Sequence, residues 1–194
     1  MRLRALALAI VLLVPAPASA EWQLRPFLGF TFGGATTFID LENAVPGKNP
    51  AIGVSGVWLG EWLGVEADLG FAPGFFQADS EQILQSGVTT FTGSLVVTLP
   101  RRVVQYSLRP YAVVGVGRLW VEIETTTEGV LRVVQSLPAM DVGGGVTGFL
   151  TDRVGVNWDL RYFRSLGEGE SRGNSVAPEH LSFWRANMAL AIRY

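Results

Sequence analysis

Cysteine is absent from this chain, and histidine occurs only once, as His180. Without cysteine there can be no disulfide, no thiolate metal site and no thiol nucleophile, and one histidine cannot form a histidine-cluster metal site. We therefore predict no metal and no cofactor. Basic residues are not in excess either, since the net charge is −2, and this argues against nucleic acid as a partner.

Long apolar runs are equally scarce, and the one that stands out is residues 5–14, near the start of the chain. Two arginines precede it and Ala-Ser-Ala follows at residues 18–20, which is the pattern of a secretory signal peptide. The run falls well short of the roughly 20 apolar residues that a membrane-spanning helix needs. We expect residues 1–20 to be removed during export and residues 21–194 to form one domain.

The chain is nevertheless 48% hydrophobic, with 23 glycines spread along its length. The end of the chain shows how these apolar residues are arranged. Side chains alternate between the two faces of a strand, so Arg185, Asn187 and Arg193 share one face of the last segment. The other face is apolar and ends on an aromatic residue: Trp184, Met188, Leu190, Ile192 and Tyr194.

The same alternation recurs along the chain and predicts eight strands, at residues 22–33, 51–59, 63–71, 88–99, 106–123, 131–150, 154–163 and 181–194. Short turns at 60–62, 100–102 and 151–153 alternate with longer connections at 35–50, 73–87 and 164–179 and with a long hairpin that turns at 125–129 and has its tip at 122–135. An even number of strands with short turns at one end and long loops at the other is typical of outer-membrane barrels. The predicted fold is all-β, an eight-stranded antiparallel up-and-down transmembrane β-barrel, with both chain ends on the periplasmic side.

Most charged residues of the predicted strands fall on the face that would point into such a barrel. An outward Arg or Lys at mid-membrane costs roughly 2–4 kcal/mol, whereas eight strands enclose a space that side chains fill. We therefore predict a salt-bridged plug rather than an open pore, with the inward glycines 29, 64, 115, 117, 143 and 145 making room for arginines. The predicted lumen charges are Arg25, Glu66, Asp68, Arg109, Asp141, Asp159, Arg161, Arg185 and Arg193.

Three sequence motifs and the terminal aromatic resemble those of a known family. They are Leu108-Arg109-Pro110-Tyr111 followed by Gly115-Val116-Gly117, Leu63-Gly64-Val65-Glu66-Ala67, and Leu160-Arg161-Tyr162-Phe163. Residues 21–194 thereby resemble the small outer-membrane barrels of the OmpA/OmpX-like superfamily, also called the outer membrane protein β-barrel domain. The resemblance implies export to the bacterial outer membrane, contact with outer-membrane lipid and lipopolysaccharide, and a monomer.

The resemblance also implies an assembly route through periplasmic chaperones and the barrel-assembly machinery. The signal that this machinery reads would be the outward residues of the last strand, Trp184, Met188, Leu190, Ile192 and Tyr194.

We favour a non-enzymatic barrel that presents its extracellular loops for a structural, adhesive or surface-recognition role, because binding residues are concentrated on loops above rigid scaffolds. Phe38, Phe75 and Phe76 are the candidate loop contacts, although they could instead pack onto the barrel mouth. The extracellular ligand is not specified by the sequence.

Two alternatives remain open. One is a narrow channel for small solutes, similar to OmpW-type barrels, in which a charged lumen with inward glycines holds water. The other is a lipid A deacylase similar to PagL, because His180-Leu181-Ser182 has that family's His-x-Ser spacing. Phe183 replaces the asparagine that follows in that family, and no downstream glutamate could orient the histidine.

Overall fold

The computed structural model describes residues 20–36, 48–75, 83–100, 103–104, 108–125, 131–166 and 180–194. These residues form eight strands: β1 Glu21–Thr36, β2 Asn49–Leu59, β3 Leu63–Pro73, β4 Ile83–Thr98, β5 Leu108–Thr125, β6 Leu131–Phe149, β7 Val154–Ser165 and β8 Leu181–Arg193. Consecutive strands pair antiparallel, and β1 also pairs with β8, so the sheet is a closed barrel. The predicted all-β, eight-stranded, up-and-down barrel is confirmed.

The two ends of the barrel differ in their connections. Residues 60–62, 99–107 and 150–153 join strands at one end, called here the turn end, where β1 also begins and β8 finishes. The other end is called the loop end. The predicted signal peptide up to residue 19, the candidate contacts Phe38 and Phe76, and a part of each predicted long loop lie outside the described residues. Where the chain is described, no helix is long and apolar enough to cross a membrane.

The largest difference between predicted and observed strand bounds is at β4. We predicted that this strand starts at residue 88, but it starts at Ile83, so the loop predicted at residues 73–87 is shorter than expected. The added residues pair with the far end of β5, up to Thr125. Ladder hydrogen bonds use only backbone groups, so a strand can continue past the point where its apolar alternation ends.

Side chains alternate between the inside and the outside of the barrel, and the outside is the apolar side. In β3, Leu63, Val65 and Leu69 are exposed, whereas Glu66 and Asp68 are buried. This inverts the usual rule that charged residues are rarely buried, as expected for a sheet whose outer face contacts lipid.

Aromatic residues are exposed on the outer face near both ends, as the girdles of a membrane barrel would be. Trp22, Trp62 and Tyr194 lie at the turn end, and Phe71 and Trp184 lie at the loop end. Trp158 departs from this pattern, because it is 59% exposed within the outer face, opposite Val146 and Met188 in the strand register.

The interior is not polar along its whole length, and this corrects the prediction of a polar lumen. A loop-end apolar cluster fills the barrel at that end; its buried members are Ala51, Ala72, Phe75, Val88, Leu119, Val121, Leu137, Ala139, Phe163, Leu181 and Phe183. A smaller apolar group lies towards the turn end, formed by Val57, Leu59, Val96, Tyr111 and Val113. Alternation gives the face of a residue but not its height in the barrel, and inward positions near the loop end hold apolar side chains.

Candidate functional site

The structure places all nine predicted charges inside the barrel wall. Eight of them are buried, and Arg193 is half-buried at the turn end. They separate into two groups. The central charge cluster contains Glu66, Asp68, Asp141, Asp159, Arg161 and Arg185. The turn-end charge cluster contains Arg25, Arg109 and Arg193, together with Glu21.

Arg161 is the centre of the central charge cluster. Its Nη2 lies 2.7 Å from Glu66 Oε1 and its Nε lies 2.9 Å from Asp159 Oδ1. Its Nη1 lies 3.6 Å from Asp141 Oδ2. Arginine can serve three carboxylates because its planar guanidinium presents five N–H donors in a fixed fork. One side chain thereby connects β3, β6 and β7 across the lumen.

Arg185 connects the central charge cluster to the loop-end apolar cluster. Its Nη2 lies 2.6 Å from Asp68 Oδ1, and its Nη1 donates to Thr90 Oγ1 at 3.0 Å. The guanidinium carbon also lies 4.7 Å from the ring centres of Phe27 and Phe163. Ion pairing and cation–π contact therefore fix this side chain from several sides.

Uncharged polar groups complete the central charge cluster. Tyr111 donates its hydroxyl to Asp159 Oδ2 at 2.9 Å, and Asn187 donates to Asp159 Oδ1 at 3.3 Å. Ser94 donates to Asp141 Oδ1 at 3.3 Å. Ser94 and Tyr111 had no role in the sequence-based predictions. The signal that places them inside is the face that they share with other polar residues: Tyr111 lies two residues from Arg109, and Ser94 lies two residues from Thr92.

The turn-end charge cluster is organised around Glu21, which sequence analysis missed because the predicted first strand started at residue 22. Arg109 Nη1 lies 3.6 Å from Glu21 Oε1, and Arg193 Nε lies 3.2 Å from Glu21 Oε2. Gln23 donates its amide to Glu21, and Arg25 Nη2 donates to Gln23 Oε1 at 2.7 Å. Glu21, Gln23 and Arg25 are spaced two residues apart and therefore share the inward face of β1. A predicted strand that began one residue earlier would have included Glu21.

Arg109 also holds two connections of the turn end together. Its Nη2 donates to the carbonyl oxygens of Gly60 at 2.6 Å and Glu61 at 3.0 Å, and its Nε donates to the carbonyl of Leu99 at 3.2 Å. Carbonyl groups in turns have no ladder partner, and a charged donor satisfies them strongly. The side chain therefore fixes the turn between β2 and β3 against the start of the connection after β4.

Among the described residues, little empty space remains in the middle of the lumen. A cavity of about 10 Å³ lies among Phe27, Ser55, Asp68, Asn157, Asp159, Arg161, Asn187 and Ala189. That is about the volume needed to hold one water molecule. Towards the loop end the apolar cluster follows, where Phe163 stacks on Phe183 at 5.1 Å and Phe75 meets Phe183 edge-on at 5.0 Å. The described side chains thus fill the barrel at two successive heights.

The predicted role of the inward glycines is correct at one of six positions. A Cβ at Gly143 would lie 3.0 Å from Arg161 Cγ, so this glycine does make room for an arginine side chain. Gly115 instead adjoins Ser94 and Asp141, and Gly145 adjoins Tyr111. No arginine is among the three nearest atoms that a Cβ would meet at Gly29, Gly64 or Gly117. All inward side chains pack into the same interior space. The sequence position of a glycine therefore does not show which of these side chains occupies the space that the missing Cβ leaves.

The candidate loop contact Phe75 does not point outwards. It is 1% exposed, because it packs inside the loop-end apolar cluster. The interpretation as a surface contact is therefore wrong for this residue, and the alternative of packing onto the barrel mouth is correct.

His180 directly precedes β8, and Ser182 lies on the outer face of β8 together with Trp184. His180 is exposed and Ser182 is half-buried. The register neighbours of Ser182 are Ala35 in β1 and Arg164 in β7, and neither supplies the carboxylate that a serine–histidine pair needs. In the described part of the chain, no group of three or more His, Asp or Glu residues could hold a metal ion.

The residues of the predicted assembly signal also line the outer face of β8 and its end. Trp184, Met188, Leu190 and Tyr194 are exposed, and Ile192 is half-buried.

Comparisons with known proteins point to one family. A family model described as "Outer membrane protein beta-barrel domain" matches residues 5–177. No curated protein sequence matches the chain significantly. Among solved structures, surface protein A (NspA) of Neisseria has a TM-score of 0.65 at 10% identity, covering 91% of this chain and 99% of its own.

Two further solved structures are similar. OprG, an outer membrane protein of Pseudomonas aeruginosa, has a TM-score of 0.59 at 11% identity and covers 92% of this chain and 97% of its own. A major outer membrane protein of Thermus thermophilus has a TM-score of 0.59 at 10% identity, with coverages of 91% and 100%. At such low identity these likenesses show the fold alone.

Proposed function

Because this chain belongs to the outer membrane protein β-barrel domain family and lies in the bacterial outer membrane, we propose that it is a non-enzymatic, non-conducting barrel that displays its loop end at the cell surface. The turn end then faces the periplasm. The observation that carries this proposal is the filled lumen, since a barrel without a passage acts through what it presents at its ends.

The central charge cluster opposes ion conduction. An ion crossing the barrel would have to separate Arg161 from Glu66 or Arg185 from Asp68, and these are buried pairs with N···O distances of 2.7 and 2.6 Å. Removing one partner of a buried pair typically costs 3–5 kcal/mol. A hydrated ion would then meet the loop-end apolar cluster, which offers it no polar groups. The cavity of about 10 Å³ gives the channel alternative no support.

The loop end is where a display function would reside. At the loop end, the strands are connected by residues 37–48, 74–82, 126–130 and 166–180. At the turn end, two of the connections are short and consist of residues 60–62 and 150–153. Short periplasmic turns and longer extracellular loops are the usual arrangement in this class of barrel. Binding residues concentrate on such connections because a rigid scaffold positions them.

The partners follow from the location of the barrel. Its exposed apolar face contacts outer-membrane lipid. Contact with lipopolysaccharide, assembly by the barrel-assembly machinery with periplasmic chaperones, and a monomeric state are parts of the proposal, as is the absence of catalysis at His180 and Ser182.

Thiol labelling tests the orientation on which display depends, and the native chain offers a clean background because it has no cysteine. Asn174→Cys places a thiol between β7 and β8, and Arg153→Cys places one in the turn between β6 and β7. On intact cells a membrane-impermeant maleimide should label Asn174→Cys and should label Arg153→Cys only after permeabilisation. The reverse pattern would contradict the proposal.

A further inference from the structure

A second candidate binding region lies at the turn end, away from the loops. A cavity of about 370 Å³ lies there between the connection after β4, the turn between β6 and β7, and the end of β8. Its lining includes the arginines 109 and 193 and the apolar residues Leu108, Phe149 and Leu150. This volume lies within the range of ordinary small-molecule pockets. Leu150 and Asp152 are exposed, so the cavity is reachable from the aqueous side.

The inward charges near this cavity are unbalanced. Among the described inward residues of the turn end, Arg25, Arg109 and Arg193 accompany one carboxylate, Glu21. The central charge cluster has the opposite composition, with two arginines and four carboxylates. The lumen is therefore positive towards the turn end and negative in the middle. Two further carboxylates, Glu61 and Asp152, lie on exposed turns, where water weakens their electrostatic attraction to the arginines.

The two cavity arginines are held in place, and Arg109 keeps its Nη1 for a ligand, because its Nε and Nη2 already donate to three carbonyl groups of the turns. They share the single carboxylate of Glu21, at 3.6 Å from Arg109 and 3.2 Å from Arg193. The contact of Arg193 Nε with Glu21 Oε2 is an ion pair without hydrogen-bond geometry, and Arg25 Nη1, deeper in the same cluster, is buried without a hydrogen-bond partner. The guanidinium of Arg193 lies 3.7 Å from the ring centre of Phe149. A guanidinium that stacks on an aromatic ring is held through its planar face. Its N–H donors lie in that plane and point away from the contact with the ring.

The walls add a second requirement for a ligand. The lining also includes the apolar residues Leu108, Phe149 and Leu150, and Thr151 and Asp152 add polar groups to it. Guanidinium groups prefer carboxylate or phosphate, which they can bind through paired N–H donors. A ligand that has an apolar group beside its anionic group would fill the rest of the cavity. Where the ligand passes Thr151 and Asp152, a peptide amide fits better than a hydrocarbon chain.

We propose that the turn-end cavity binds the C-terminal carboxylate of a peptide whose last residue is aliphatic, with Arg109 and Arg193 holding the carboxylate and Leu108, Phe149 and Leu150 contacting the side chain. This site goes beyond the display function, since it lies at the opposite end of the barrel and faces the periplasm if the proposed orientation holds. It needs no opening of the lumen, so a conducting barrel would leave it unaffected.

N-acetyl-leucine is the probe that tests the site. The full mature barrel, refolded into lipid nanodiscs, would be titrated while NMR follows the Nε–Hε signals of its arginine side chains. The signals of Arg109 and Arg193 should shift and saturate. Arg193→Gln, which shortens the side chain slightly and removes its charge, should weaken binding about tenfold, the usual effect of losing a charged hydrogen bond.

Three controls make the outcome decisive. Arg153→Gln, on the same turn but outside the cavity lining, should bind N-acetyl-leucine as the wild type does. N-acetyl-leucinamide, which lacks the negative charge, should not bind, and inorganic phosphate should bind more weakly than N-acetyl-leucine. Equal binding of the acid and the amide, equal effects of the two substitutions, equal binding of phosphate, or no saturable shift in a folded barrel would each overturn the proposal. The different gel mobilities of boiled and unboiled protein verify folding of every variant.

Discussion

Arg161 has three carboxylate partners, and this makes it the residue on which the interior depends most. Glu66, Asp141 and Asp159 all lie within 3.6 Å of its guanidinium. Its sequence position alone could not reveal this, because Glu66 is 95 residues away in the chain. Alternation predicted that both residues point inwards, but strand register and barrel stagger decide which of the inward charges meet.

Arg161→Ala should destabilise the barrel strongly. The change leaves three buried carboxylates without their shared cation, and breaking a buried pair typically costs 3–5 kcal/mol. The free energy of unfolding in urea, measured on barrels refolded into lipid vesicles, gives the loss directly. Arg118→Ala is the matched control, because Arg118 is exposed and donates to Ser136 on the outer face. Equal losses for the two variants would contradict the role of Arg161.

Gly70 tests how tightly Arg185 is held. A Cβ at Gly70 would collide with Arg185 Nη1 and lie 2.8 Å from Thr90 Oγ1, whereas a Cβ at Gly56 would meet nothing within 4 Å. Gly70→Ala should therefore lower the free energy of unfolding by about 1–3 kcal/mol, the usual cost of overpacking. Gly56→Ala should change it by less than about 0.5 kcal/mol. Similar values for both variants would mean that the Arg185 side chain adapts without loss.

At the scale of the strands, much of the structure could be predicted from alternation. All eight strands and the pairing of the first with the last follow from period-two patterns and the lengths of the connections. The start of β4 could not be predicted, because its ladder continues past the point where apolar alternation ends. The loop-end apolar cluster was also missed, because alternation assigns Phe163 and Phe183 to the same face as Arg161 and Arg185. What distinguishes them is their height along the barrel.

The last strand carries a prediction about assembly. Tyr194 is 80% exposed at the turn end, and its backbone N–H donates to the carbonyl of Trp22 at 3.0 Å, next to the seam between β8 and β1. Tyr194→Ser keeps this backbone contact and removes only the terminal aromatic side chain. If the aromatic side chain is part of the assembly signal, the substitution should reduce the fraction of protein that reaches the folded form in the outer membrane.

Leu150→Ser is the control for that experiment, since Leu150 is 79% exposed at the same end of the barrel but lies in a turn. The folded fraction is read from the gel mobility of unboiled membrane samples. We expect Leu150→Ser to fold like the wild type and Tyr194→Ser to accumulate unfolded. An identical folded fraction for both would remove Tyr194 from the assembly signal.

At the scale of the whole molecule, the barrel has the opposite distribution of polar and apolar residues from a soluble protein. Its lipid-facing surface is apolar, and its interior holds five arginines and five carboxylates among the described residues. Buried charges of both signs offset one another only at close range, which explains why they collect into two clusters. The two clusters and the loop-end apolar cluster together fill the lumen between the turn-end cavity and the loop end.

Single-channel recording in planar bilayers is the most direct test of this filled lumen. We expect the refolded wild-type barrel, inserted at a density verified by its folded gel mobility, to show no conductance steps at any applied voltage. Steady, reproducible conductance steps from the wild-type barrel would contradict the closed lumen and with it the proposal that the protein acts through its ends.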